Sequence, residues 1–168
     1  MTQTSKPSGR FMKIKDELAD VRQKFNWLLY QIPDGDWDLK LPGEAWTAKE
    51  EMMHIVQALE VLPKGINKAV GKSSRSILSF IPSELRGRVN GYIIIPLRSI
   101  GATKKSIADA YDQAYNAITK ILANLPEDAW DKGAAYPRQY RTVEQMAHRP
   151  MEHFEEHSAH LCSVLGIK

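Results

Sequence analysis

Four stretches of this chain carry apolar residues at the three- and four-residue spacing of a helix, and together they leave little choice of fold. Phe11, Ile14, Leu18, Val21, Phe25, Leu28 and Ile32 form the first stripe. They predict a helix of about six turns with one oily face, ended by Pro33-Asp34-Gly35. The second opens at Thr47-Ala48-Lys49-Glu50. In such a capping box the hydroxyl accepts an orphan backbone N–H and the glutamate reaches back to the cap. At about 100° per residue, Val61, His54, Ala58, Leu62, Ile55, Leu59, Met52 and Val56 make one continuous arc, with His54 towards its edge. Pro63 is expected to end or kink this helix. Ile107, Tyr111, Ala114, Ile118, Ile121 and Leu125 mark the third, which stops at Pro126. A second capping box, Thr142-Val143-Glu144-Gln145, opens the fourth, which runs to about Val164 with Gly166 as its stop. Pro150 lies inside it, removes the bond to the Met146 carbonyl and is expected to kink it one turn before His153.

The chain also echoes itself. Ile32-Pro33-Asp34-Gly35-Asp36-Trp37 precedes the second helix, and Leu125-Pro126-Glu127-Asp128-Ala129-Trp130 precedes the fourth. Each half reads as long helix, proline, acid, Trp, loop, capping box, helix. Two helical hairpins with approximate twofold symmetry follow, and an all-α four-helix bundle is the simplest way to bury four stripes. Residues 64–98 are less regular. They predict a short extra helix around Ser76 to Leu85 and a turn at Asn90-Gly91, while Tyr92-Ile93-Ile94-Ile95 fits either a short strand or part of a helix. At 168 residues, one domain over 11–168 is expected behind a flexible polar tail, 1–10.

A formal charge of +3, with basic residues scattered rather than banked into a stripe, argues against nucleic acid as a partner. The longest apolar run, Tyr92 to Leu97, is far short of a membrane span, and Met1 to Arg10 has no apolar signal-peptide core. Cys162 is the sole cysteine, which suits a reducing compartment. A cytoplasmic protein is expected.

Of five histidines, four fall between 148 and 160. His153 and His157 stand four apart, one above the other on a helix face, so both can grip one ion from one side. His54, from another helix, would complete a three-histidine site with a position left open for water or substrate. Neutral imidazoles suit zinc, nickel, iron or copper. The bland alternatives are two ordinary half-buried histidines and a satisfied core histidine. Taking His153 as zero, His157 lies at about 40° and His160 at about −20°, on the border of the oily stripe, while His148 and Cys162 face away. His160 fits a fourth ligand, an outer hydrogen-bond donor or a base facing the substrate. Glu51, one turn before His54, is placed to orient that ring or to act as a base. His153-Phe154-Glu155-Glu156-His157 also fits the H-x-x-E-H string of inverted zinc proteases, but the eleven residues after His157 hold no carboxylate to serve as a downstream ligand.

Trp37, Trp46, Trp130, Tyr136 and Tyr140 gather in the loops that lead into the His-bearing helices. They seal the bundle end or, for Trp46 and Trp130, wall an apolar pocket. Arg75, Arg86, Arg88 and Arg98 either hold an anion at a pocket mouth or are simply solvated.

The residues Glu44-Ala45-Trp46-Thr47-Ala48-Lys49-Glu50 with His54 one turn on, and the closing run His153-Phe154-Glu155-Glu156-His157-Ser158-Ala159-His160-Leu161, resemble the two ligand signatures of the DinB-like superfamily. That group includes bacillithiol transferases and mycothiol-dependent maleylpyruvate isomerases. The resemblance covers roughly residues 11–165. It implies a divalent ion on His54, His153 and His157, a homodimer, and an enzyme that activates a low-molecular-weight thiol towards a small-molecule substrate. Met146, Val61 and Trp130 would then shelter the reaction. Pro150 and His148 depart from the pattern. A metal-dependent hydrolase, with His160 or Glu51 as its base, and a non-catalytic bundle are the competing expectations.

Overall fold

The computed structural model describes residues 8–42, 46–72, 89–136 and 139–168. Four long helices dominate it: α1 (Gly9–Gln31), α2 (Ala48–Ala69), α4 (Lys104–Ala123) and α5 (Val143–Leu165). A π-helical turn over Asn90–Ile94 runs directly into the short α3 (Ile95–Ser99). The expected short helix around Ser76 to Leu85, and Arg75, Arg86 and Arg88, lie outside the described residues. Tyr92 to Ile95 is helical rather than extended, and Asn90-Gly91 opens that turn instead of a reverse turn.

Helix α1 packs against α4 and α5, and α2 packs against the same two. All seven residues of the first stripe are buried, as are Met52, Ile55, Val56, Leu59 and Leu62 of the second. Residues from all four long helices join one core, with Phe25 of α1 stacked on Tyr111 of α4 at 4.0 Å between ring centroids. Among the described residues no helix is long and apolar enough to cross a membrane.

Both capping boxes form. Thr47 accepts from Glu50 N at 3.2 Å while Glu50 takes the Thr47 N–H at 2.7 Å, and Thr142 and Gln145 do the same at 3.2 and 2.9 Å. A third, Thr103 with Ser106, starts α4. Helix α5 ends at Gly166, whose φ of 66° is left-handed, where a side chain would clash. Pro63 does not end α2, which continues to Ala69. One missing N–H costs a single backbone bond, and buried Leu62, Gly65 and Ile66 hold the last turns onto the bundle.

The internal echo is structural. Asp34–Asp36 and Glu127–Ala129 each form one 3-10 turn, followed by a buried Trp, Trp37 or Trp130. Each Trp carbonyl then accepts a backbone N–H from the second residue of the following helix, Lys49 or Glu144, at 3.2 Å in both halves. Lys40 forms a single antiparallel bridge to Thr47. Its counterpart in the second half is a full hairpin, β1 (Gly133–Tyr136) with β2 (Gln139–Thr142), in which Gly133 faces Thr142. The hairpin was not expected, because the four-residue strands Gly-Ala-Ala-Tyr and Gln-Tyr-Arg-Thr are short and carry no clear apolar alternation. It sits on α2, where a Cβ at Gly65 would fall 2.5 Å from the Tyr136 ring.

Candidate metal centre

Helices α2 and α5 run antiparallel, since Glu51 lies beside His157 and Gly65 beside Met146. That crossing brings His54 opposite His153 and His157. The three ring centroids are 4.9, 4.9 and 4.5 Å apart. One ring nitrogen from each lies within 4.8 Å of the others, and all three side chains are half-buried. Nitrogens about 2.0–2.1 Å from a common tetrahedral ion stand about 3.4 Å apart, so small ring rotations close the set.

The donor chemistry fits a cation. Burial pulls His54 down to about 4, helped by the neighbouring His157. Burial likewise pulls His153 down to about 3, with His157 and His54 adding to it. Both rings are therefore neutral at pH 7 and keep a lone pair. His54 Nδ1 is buried and has no hydrogen-bond partner among the described residues. A buried imidazole nitrogen left unpaired costs free energy unless something takes its lone pair or proton, and a divalent ion shared with two other imidazoles would do so if Nδ1 is the nitrogen that faces it.

The same shifts set an acid limit on the metal-free protein. Unfolded histidines titrate near 6.5, so below that pH the unfolded chain binds protons that folded His54 and His153 refuse. Stability should fall as pH drops from about 6.5, by roughly 2 kcal/mol per histidine at pH 5. Thermal melts of metal-free protein at pH 7.5 and 5.0 should differ by about 10 °C, and His153→Asn should shrink that gap. Equal melting temperatures at the two pH values would contradict the arrangement.

Glu51 is 3% exposed and does not orient His54, as its spacing had suggested. Its Oε1 lies 3.0 Å from His157 Nδ1 and 3.1 Å from His160 Nδ1, and its Oε2 lies 3.3 Å from the latter. Burial alone would raise its pKa, but the hydrogen bonds from His157 and His160 outweigh that and hold it below the usual carboxylate value. An ionised carboxylate only accepts, so both imidazoles present Nδ1–H to it. His160 thus sits behind the cluster, on Glu51, and is not one of its three donors.

Trp46 covers the other side. Its indole lies 4.7 Å from the His54 ring and its Nε1 donates to Gly91 O at 2.8 Å. One turn after His54, the Gln57 side chain exchanges two 2.8 Å hydrogen bonds with that of Asn90. The π-helical turn is therefore pinned beside the centre. Gln57, Asn90 and Gly91 carried no sequence signal for this, because their partners lie far away along the chain. Trp130 and Met146, expected at a pocket wall, are instead fully buried core residues, and Val61 is 39% exposed. Glu156, the base that a protease string would need, is held by Arg149 through two 2.9 Å bonds. Arg98 is paired with Glu60 at 2.7 and 2.9 Å, and His148 with Glu17 at 2.6 Å.

The fold recurs among known structures. An uncharacterised protein from Clostridium difficile 630 has a similar crystal structure, with a TM-score of 0.75 and 13% identity over 96% of this chain and 99% of that one. A Streptococcus pneumoniae protein matches with a TM-score of 0.71 and 14% identity, over 97% and 92%. At such identities they show the fold alone. No curated protein matches the sequence. The family model of the DinB superfamily matches residues 17–161, a span that takes in most of each long stripe and the three clustered histidines, and the chain belongs to that superfamily.

Proposed function

We propose that this chain is a divalent-metal enzyme that activates a small thiol for transfer to, or isomerisation of, an electrophilic substrate. The observation that supports it is the convergence of His54, His153 and His157 on a bundle of the DinB type. Three neutral imidazoles would hold zinc, nickel or iron and leave a coordination position open. The ion would lower the pKa of a bound thiol or water and so supply a nucleophile near neutral pH. The chain's own part is to fix the ligands on two packed helices and to keep water from one side. Trp46, fastened to Gly91, gives that apolar cover.

Hydrolysis by bound water would need a general base beside the ion. Glu51 is a poor one, being buried with its oxygens engaged by His157 and His160. That weighs the reading towards a thiol. A homodimer belongs to the same proposal, supported by the exposed apolar side chains Tyr92, Ile93, Leu97 and Ile100.

The test offers metal-loaded protein a panel of electrophiles with cysteine, bacillithiol, mycothiol and glutathione in turn. One thiol should be consumed in a reaction that His157→Ala abolishes. Ester hydrolysis without thiol consumption would favour the hydrolase. Neither reaction, with metal bound, would leave a binding protein.

A further inference from the structure

We infer that Glu51 is the positioning residue of the metal centre: it aims His157 at the ion, and His160 braces it from the far side. The inference rests on the three-histidine reading and adds two residues to it. Glu51 stands on α2, one turn before His54, yet its carboxylate reaches across to α5. By accepting His157 Nδ1–H at 3.0 Å it fixes that ring's tautomer and leaves Nε2 as the nitrogen with a lone pair for the cluster. A carboxylate held by one bond is free to swing. His160, three residues after His157 on the same helix face, supplies a second Nδ1 contact at 3.1 Å and prevents this.

Charge points the same way. A carboxylate that is 3% exposed requires a compensating cation. Among the described residues no Lys or Arg forms an ion pair with Glu51, and its partners are the two imidazoles. A divalent ion on the opposite nitrogen of His157 would provide the missing positive charge through a single ring. Glu51 therefore favours a cation over a neutral occupant, and of the two histidines that hold it only His157 is also a ligand.

The test measures zinc affinity by chelator competition for wild type, Glu51→Gln, Glu51→Ala, His160→Ala and His153→Ala. Imidazole nitrogen NMR of the metal-free proteins is recorded alongside. Both Glu51 variants should still bind one zinc at saturation but about 10–100-fold more weakly, with His160→Ala weakened by less. In wild type, His157 should be the Nδ1–H tautomer; in Glu51→Ala the Nε2–H tautomer should appear. A merely structural role would lower melting temperature without moving either readout. Glu51→Gln keeps the side chain's shape and covers the case in which Glu51→Ala fails to fold. Affinities within about twofold of wild type, or an unchanged His157 tautomer, would overturn the inference while leaving the ligand set intact. Equal zinc content in wild type and His153→Ala would overturn the ligand set and the inference with it.

Discussion

Replacing His153 with alanine is expected to empty the metal centre without unfolding the bundle. The His153 ring is 4.9 and 4.5 Å from the other two imidazoles by centroid, and its loss leaves two donors on different helices. Two imidazoles alone hold a divalent ion poorly, and the loss should exceed the roughly 100-fold that outer hydrogen-bond partners account for. The side chain is only half-buried, so truncation opens no sealed cavity. Wild-type protein should carry about one ion per chain, and the His54→Ala, His153→Ala and His157→Ala variants far less. Metal analysis by mass spectrometry, with circular dichroism to check the fold, decides it. Equal metal content in all four proteins would sink the assignment.

Phe25→Ala should do the opposite: damage the fold and spare the site. Phe25 is fully buried and stacks on Tyr111, itself 1% exposed, across the α1–α4 contact. Removing the ring forfeits its burial and leaves a cavity between two rigid helices. Such changes cost about 3–5 kcal/mol, or about 6–20 °C in melting temperature for a chain of this size. Neither helix carries a ligand, so the fraction that remains folded should bind metal as wild type does. A melting temperature within about 3 °C of wild type would mean that this part of the core is not packed as described.

Particular residues show what was legible along the chain. Thr47 with Glu50, and Thr142 with Gln145, gave the starts of α2 and α5 because a capping box is a local device three residues long. Gly166 gave the end of α5 for a similar reason. The His-bearing faces followed from helical periodicity, which needs only neighbours along one helix. Pro63 does not end α2, since a proline's local penalty is outweighed by the packing of Leu62 and Ile66, which periodicity does not measure. The hairpin at Gly133 to Thr142 was missed because its register comes from seating on α2 beside Gly65, not from its own pattern.

Glu51 marks the boundary most clearly. Its place one turn before His54 suggested a partner on its own helix, where the i, i+3 rule operates. The partners it has are on α5, more than a hundred residues away. Trp130 shows the converse: an aromatic in a loop before a His-bearing helix suits a pocket wall, yet the echo that places it also drives it fully into the core.

By itself the sequence determined the four helices, their caps, the repeated hairpin plan and the three imidazoles able to meet. Those depend on short-range periodicity and on the choice of side chain. Only the tertiary structure decided that His54, His153 and His157 do meet, that Glu51 reaches His157 and His160, and that Trp46 fastens the turn at Gly91 beside them. Those contacts join segments distant in sequence. Their geometry is set by how α2 and α5 pack across the whole core, a property that no local stretch encodes.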